Sequence, residues 1–65
     1  MISKIKIYGL NNINSILKIQ NILENIYKVS RAFIELKSGT AYISTNCEID
    51  ENILATEIIN AGFDI

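Results

Sequence analysis

Cys47 is the only cysteine of the chain and histidine is absent. One molecule therefore holds no parts for an internal disulfide, an ordinary zinc site or a catalytic triad. The heteroatoms that do cluster are the amides and hydroxyl of Asn11, Asn12, Asn14 and Ser15, directly after Gly9-Leu10. Such oxygens are neutral and hard. They cap helix amides, they leave helix N-terminal amides free to meet a polar or anionic group, and they ligate only hard cations. No carboxylate stands in this stretch to supply charge for a cation. The single arginine, Arg31, falls on an expected strand rather than in the first loop. No carboxylate pair takes a spacing that defines acid-base work, so the reading is non-enzymatic.

These side chains need a frame, and hydrophobic periodicity supplies it. From Ser3 to Tyr8 apolar and polar residues alternate, with Ile5 and Ile7 on one face and Lys4, Lys6 and Tyr8 on the other, the period of a half-buried strand. The asparagine cluster supplies N-cap chemistry, and Ile16, Ile19, Leu23 and Ile26 then recur at helical spacing. Val29, Ala32, Ile34 and Leu36, the Ser38-Gly39 turn, and Ala41 with Ile43 predict an antiparallel hairpin. Asp50 is a second N-cap, with Ile49 and Leu54 placed as a hydrophobic staple. Leu54, Ile58 and Ala61 form the stripe of a second helix, and Gly62 stands where a left-handed C-terminal cap belongs. Phe63 to Ile65 leave room for a short closing strand. The order is βαββαβ, which closes as an α+β, ferredoxin-like sandwich: a four-stranded antiparallel sheet with both helices on one face.

The 65 residues, 49% hydrophobic and 20% charged, suffice for one domain over 1–65. A chain of this size buries about 60% of its unfolded surface and has none to spare for a second core. No apolar run exceeds three residues, which excludes a membrane span and a signal-peptide core and makes cytoplasmic the expected location. Net charge is −1, so bulk electrostatics draw the chain neither to nucleic acid nor to membrane lipid. The sum hides a split of +4 over residues 1–40 and −5 over 41–65.

Read in this order, the spacing resembles the heavy-metal-associated domain, the fold of small copper chaperones and of the metal-binding modules of copper-transporting ATPases. In that family a strand leads into Gly-Met-Thr-Cys-x-x-Cys, and here Gly9-Leu10-Asn11 stands for the first three residues. Ile19 and Leu23 stand for its helix anchors, and Leu23 through Val29 for its Leu-x-x-Leu-Pro-Gly-Val segment, with Tyr27-Lys28 in place of Pro-Gly. Ile34-Glu35-Leu36-Lys37-Ser38-Gly39 looks like its hairpin, and Ile58-Ile59-Asn60-Ala61-Gly62-Phe63-Asp64 like its closing helix and turn.

The resemblance puts the family cysteines at positions 12 and 15, where this chain has Asn12 and Ser15. Cu(I) and Zn(II) are held by soft thiolates there, and neither an amide nor a hydroxyl replaces one. The site is expected to be vestigial, with no bound cofactor. Cys47 falls in the loop at the other end of the sheet, ~20 Å away over a strand of this length, and is expected to be a half-buried small hydrophobe. What the resemblance leaves is docking to a protein partner, a metal-transport protein among the candidates, through the loop end and first helix. That surface comprises Leu10, Asn12, Ser15, Lys18 and Phe63, with a basic first helix meeting an acidic surface. Leu17, Ile22, Ile53 and Ile59 lie off the two helix stripes and would extend a partner surface if they coalesce.

Three alternatives stand beside it. Heavy-metal binding or transfer would use unconventional ligands or an intermolecular Cys47 site. RNA would stack on the open sheet face, where Tyr8, Phe33 and Tyr42 join Lys4, Lys6, Arg31 and Lys37. A homodimer would form through the same face.

Overall fold

The computed structural model describes residues 1–65. The chain runs β1 (Ile2–Lys6), α1 (Ile13–Glu24), β2 (Val29–Glu35), β3 (Thr40–Thr45) and α2 (Glu51–Asn60). The sheet is antiparallel in the order β1-β3-β2. Both helices lie on one face of it, because Ile16, Ile19 and Leu23 of α1 and Leu54 and Ile58 of α2 share one core with Ile7, Ala32, Ile34, Ala41 and Ile43. Alternation sets which strand residues enter that core. Along β2, Ala32 and Ile34 are buried while Arg31, Phe33 and Glu35 are exposed, and along β3 Ala41, Ile43 and Thr45 are buried.

Both helix starts follow from their caps. The Asn12 Oδ1 accepts the Ser15 amide at 3.0 Å, and the Asp50 Oδ1 accepts the Asn52 amide at 2.9 Å, each satisfying a donor that the first helical turn leaves unpaired. The end of α2 is closed by a Schellman motif. Gly62, at φ = 96°, gives its amide to the Ile59 carbonyl at 2.9 Å, and the Phe63 amide reaches the Ile58 carbonyl at 3.3 Å.

Four expectations are corrected. The fourth strand is absent as such: Tyr8 and Asp64 form an isolated bridge, with the Tyr8 amide 2.8 Å from the Asp64 carbonyl, and β1 itself stops at Lys6. The observed sheet therefore has three strands where four were expected. Leu36 does not join the core; it is exposed in the turn after β2, which the Gly39 amide closes on the Glu35 carbonyl at 2.8 Å. Ile22 is half-buried rather than solvent-facing, whereas Leu17, Ile53 and Ile59 are exposed. Cys47 is exposed, not half-buried; the residue of the β3–α2 loop that packs against the core is Ile49. No helix is long and apolar enough to cross a membrane.

Candidate functional site

The loop between β1 and α1 leaves the sheet at Gly9, whose φ of 94° turns the backbone over the Phe63 ring. A Cβ placed on Gly9 would lie 3.7 Å from that ring, which is ordinary contact, so it is the positive φ that favours glycine there. Leu10 and Phe63 are each half-buried and pack on the edge of the core, from opposite ends of the sequence. Lys18 lies over the exposed side of Phe63, its Nζ 5.9 Å from the ring centroid, a cation–π distance. Asn12 and Ser15 form the second contact of the cluster. Besides the amide bond, the Ser15 hydroxyl lies 3.5 Å from the Asn12 Oδ1. Ser15 and Lys18 are three residues apart on α1 and so neighbour each other on its surface.

The structure thus brings four of the five expected residues into two contacting pairs, Asn12 with Ser15 and Lys18 with Phe63. Leu10, within the loop, packs against the core and joins neither pair. Sequence reasoning missed Ile13, which is 61% exposed and lies four residues before Leu17, itself 55% exposed. A signal was present in that i, i+4 spacing on the helix flank beside the buried stripe. The expectation of a basic first helix is corrected. Within Ile13–Glu24 the charged residues are Lys18 and Glu24, which cancel, and the Glu24 Oε2 accepts the Ala32 amide at 3.0 Å. The cations gather on the open sheet face instead. There Lys4 Nζ stands 5.9 Å from the Tyr42 ring centroid, and Phe33 tilts against Tyr42 at 6.3 Å.

The donor set at the loop does not fit Cu(I). It consists of an amide oxygen already engaged as a helix cap and a neutral hydroxyl, where a soft monovalent ion requires thiolate or thioether sulfur. Nowhere in the chain do three or more His, Cys, Asp or Glu side chains converge. Cys47 lies in the loop after β3, beside Asn46, whose amide bonds to the Lys28 carbonyl at the α1–β2 turn, so the thiol sits at the opposite end of the sheet from Asn12.

No family model matches the chain, and no curated protein matches it in sequence. Solved structures do match in shape. The CopZ metallochaperone superposes with a TM-score of 0.93 at 17% identity, covering 98% of this chain and 97% of its own. The yeast copper transporter domain Ccc2A, solved in apo and Cu(I)-loaded states, gives 0.90 at 17% identity over 97% of this chain and 88% of its own. A copper-binding domain of a P-type ATPase gives 0.89 at 20% identity, with 97% and 86% covered. All three are described as metallochaperone or copper-handling domains rather than as enzymes. The chain has the fold of copper chaperones and heavy-metal-binding domains, and it carries a single cysteine, at the end of the sheet away from the β1–α1 loop.

Proposed function

We propose that this domain is a protein-docking or regulatory module on a copper-chaperone fold, its soft-metal site vestigial and its working surface the β1–α1 loop end. The observation that carries the reading is the bond from the Ser15 amide to the Asn12 Oδ1. At the position where the resemblance puts a ligating sulfur, the side chain is spent on capping the helix. Around it stand groups suited to contact with protein: the exposed pair Ile13 and Leu17, and Lys18 held over Phe63. Covering the part of each aliphatic side chain that is still exposed is worth about 1–2 kcal/mol before the costs of association. The domain acts without catalysis, and its partner presents an apolar patch beside a carboxylate that meets Lys18. A metal-transport protein is one candidate, because a neighbour in shape is itself part of a P-type ATPase.

The test is site-specific photo-crosslinking in cells. A crosslinking residue at Leu17 is expected to give one discrete adduct that Lys18→Glu abolishes, while the same residue at Arg31 on the sheet face gives none. Equal, diffuse labelling from both positions would sink the docking reading. A second reading, heavy-metal handling between two chains through Cys47, draws on the exposure of that thiol. It requires metal uptake that Cys47→Ser removes.

A further inference from the structure

The two edges of the sheet are treated differently. On β2 the edge is guarded: a register irregularity falls between Val29 and Arg31, and the Ala32 amide is taken by the Glu24 carboxylate at 3.0 Å. On β1 neither device is present. The Met1 and Ile7 backbones bond across to Thr45 and Gly39, and antiparallel alternation places Ser3 and Ile5 in the same set, facing β3. The backbone groups of Ile2, Lys4, Lys6 and Tyr8 therefore point to the other side. Of these, Tyr8 is paired, to Asp64, and the pairing ends there.

Beside the uncovered stretch runs a groove of about 580 Å³. It is lined by Lys4, Ile5, Lys6 and Tyr8 on the strand side and by Glu51, Asn52 and Ala55 of α2, together with Ile65.

We propose that this edge is a second docking site, independent of the loop end, which accepts an extended acidic segment of a partner protein as an added antiparallel strand along β1. The geometry sets the chemistry of the occupant. Residues directly opposite Lys4 and Lys6 direct their side chains to the open face, where the two ammonium groups lie over the Tyr42 and Tyr8 rings at 5.9 and 5.5 Å. Acidic residues suit those positions. The residue opposite Ile5 turns into the groove toward Ala55, where a small apolar side chain fits and where Glu51 disfavours a second acid. The segment thus alternates acidic and apolar residues. A second copy of β1 suits the edge poorly: antiparallel self-pairing about Lys4 sets lysine against lysine.

The test titrates the ¹⁵N-labelled protein with a blocked hexapeptide alternating Glu and Val, followed by amide shifts and deuterium exchange. Expected are saturable shifts centred on the Lys4 and Lys6 amides, fast exchange of both in the free protein, and exchange at least ten-fold slower with peptide bound. A Lys/Val peptide is expected to bind at least ten-fold more weakly, and an acidic peptide N-methylated at alternate residues not at all. Lys4→Glu with Lys6→Glu, both exposed positions, should reverse the charge preference. Slow exchange of the two amides before peptide is added would overturn the proposal. So would equal binding of the N-methylated peptide, shifts confined to other residues, or edge shifts that track protein concentration and dimer mass. Because no residue of the loop end enters this test, its failure leaves the reading of that surface untouched.

Discussion

Lys28 holds φ = 77° in the turn between α1 and β2, the left-handed region that costs a residue with a Cβ about 1–2 kcal/mol. Its carbonyl accepts the Asn46 amide at 3.0 Å, so the turn is pinned. Lys28→Gly should remove that cost, offset in part by the greater freedom of glycine in the unfolded chain. The net expectation is about 1 kcal/mol of added stability, or roughly 4–8 °C in Tm for a domain of this size; a thermal melt showing no rise would contradict it. Asn12→Ala removes the cap of α1 and should cost about 1 kcal/mol, seen as a lower urea midpoint with unchanged slope. Residues 27 and 28 stand out in the sequence only against the Pro-Gly of the resembled family. The exposure of Cys47 was not legible, because a loop residue follows no period from which burial can be read.

At the scale of elements, the helices were legible because each carries a cap and a stripe that agree. Ile16, Ile19 and Leu23, with Leu54 and Ile58, are buried as their spacing requires. Leu23→Ala should therefore cost about 2–5 kcal/mol, while Leu17→Ala on the same helix should stay within about 0.5 kcal/mol. Comparable losses at the two positions in chemical denaturation would refute the assignment of faces. Strand ends were less legible. The alternation of β2 continues through Leu36, yet the ladder stops at Glu35, since where pairing ends is decided by the turn that Gly39 closes. Gly39, at φ = 70° and with the Ile7 carbonyl oxygen 2.9 Å from where a Cβ would sit, cannot be enlarged without movement of backbone. Gly39→Ala should cost at least ~1–3 kcal/mol, measured by equilibrium unfolding. The three residues after Gly62 are too few to show a period, and whether they extend into a strand depends on partners elsewhere in the chain. That is why a fourth strand was expected and a single bridge is found.

Across the whole molecule, a TM-score of 0.93 at 17% identity shows how little of this fold depends on particular side chains beyond the apolar pattern and the turn residues. The composition of the β1–α1 loop was readable directly. The contact between Lys18 and Phe63 was not, because it joins α1 to the C-terminal segment, and local spacing carries no information about such a pair. The charge split of the sequence finds a partial spatial counterpart. Lys4, Lys6 and Arg31 lie on the open sheet face, while Asp50, Glu51 and Glu57 cap or belong to α2 on the other side. The decisive question is whether the domain withholds itself from soft metal. Anaerobic competition for Cu(I) against a strong chelator, in a Cys47→Ser background, addresses it. The protein should leave Cu(I) with the chelator, and Asn12→Cys with Ser15→Cys should then take up a stoichiometric amount. Withdrawal of Cu(I) by the protein with Asn12 and Ser15 intact would contradict the assignment of a vestigial site.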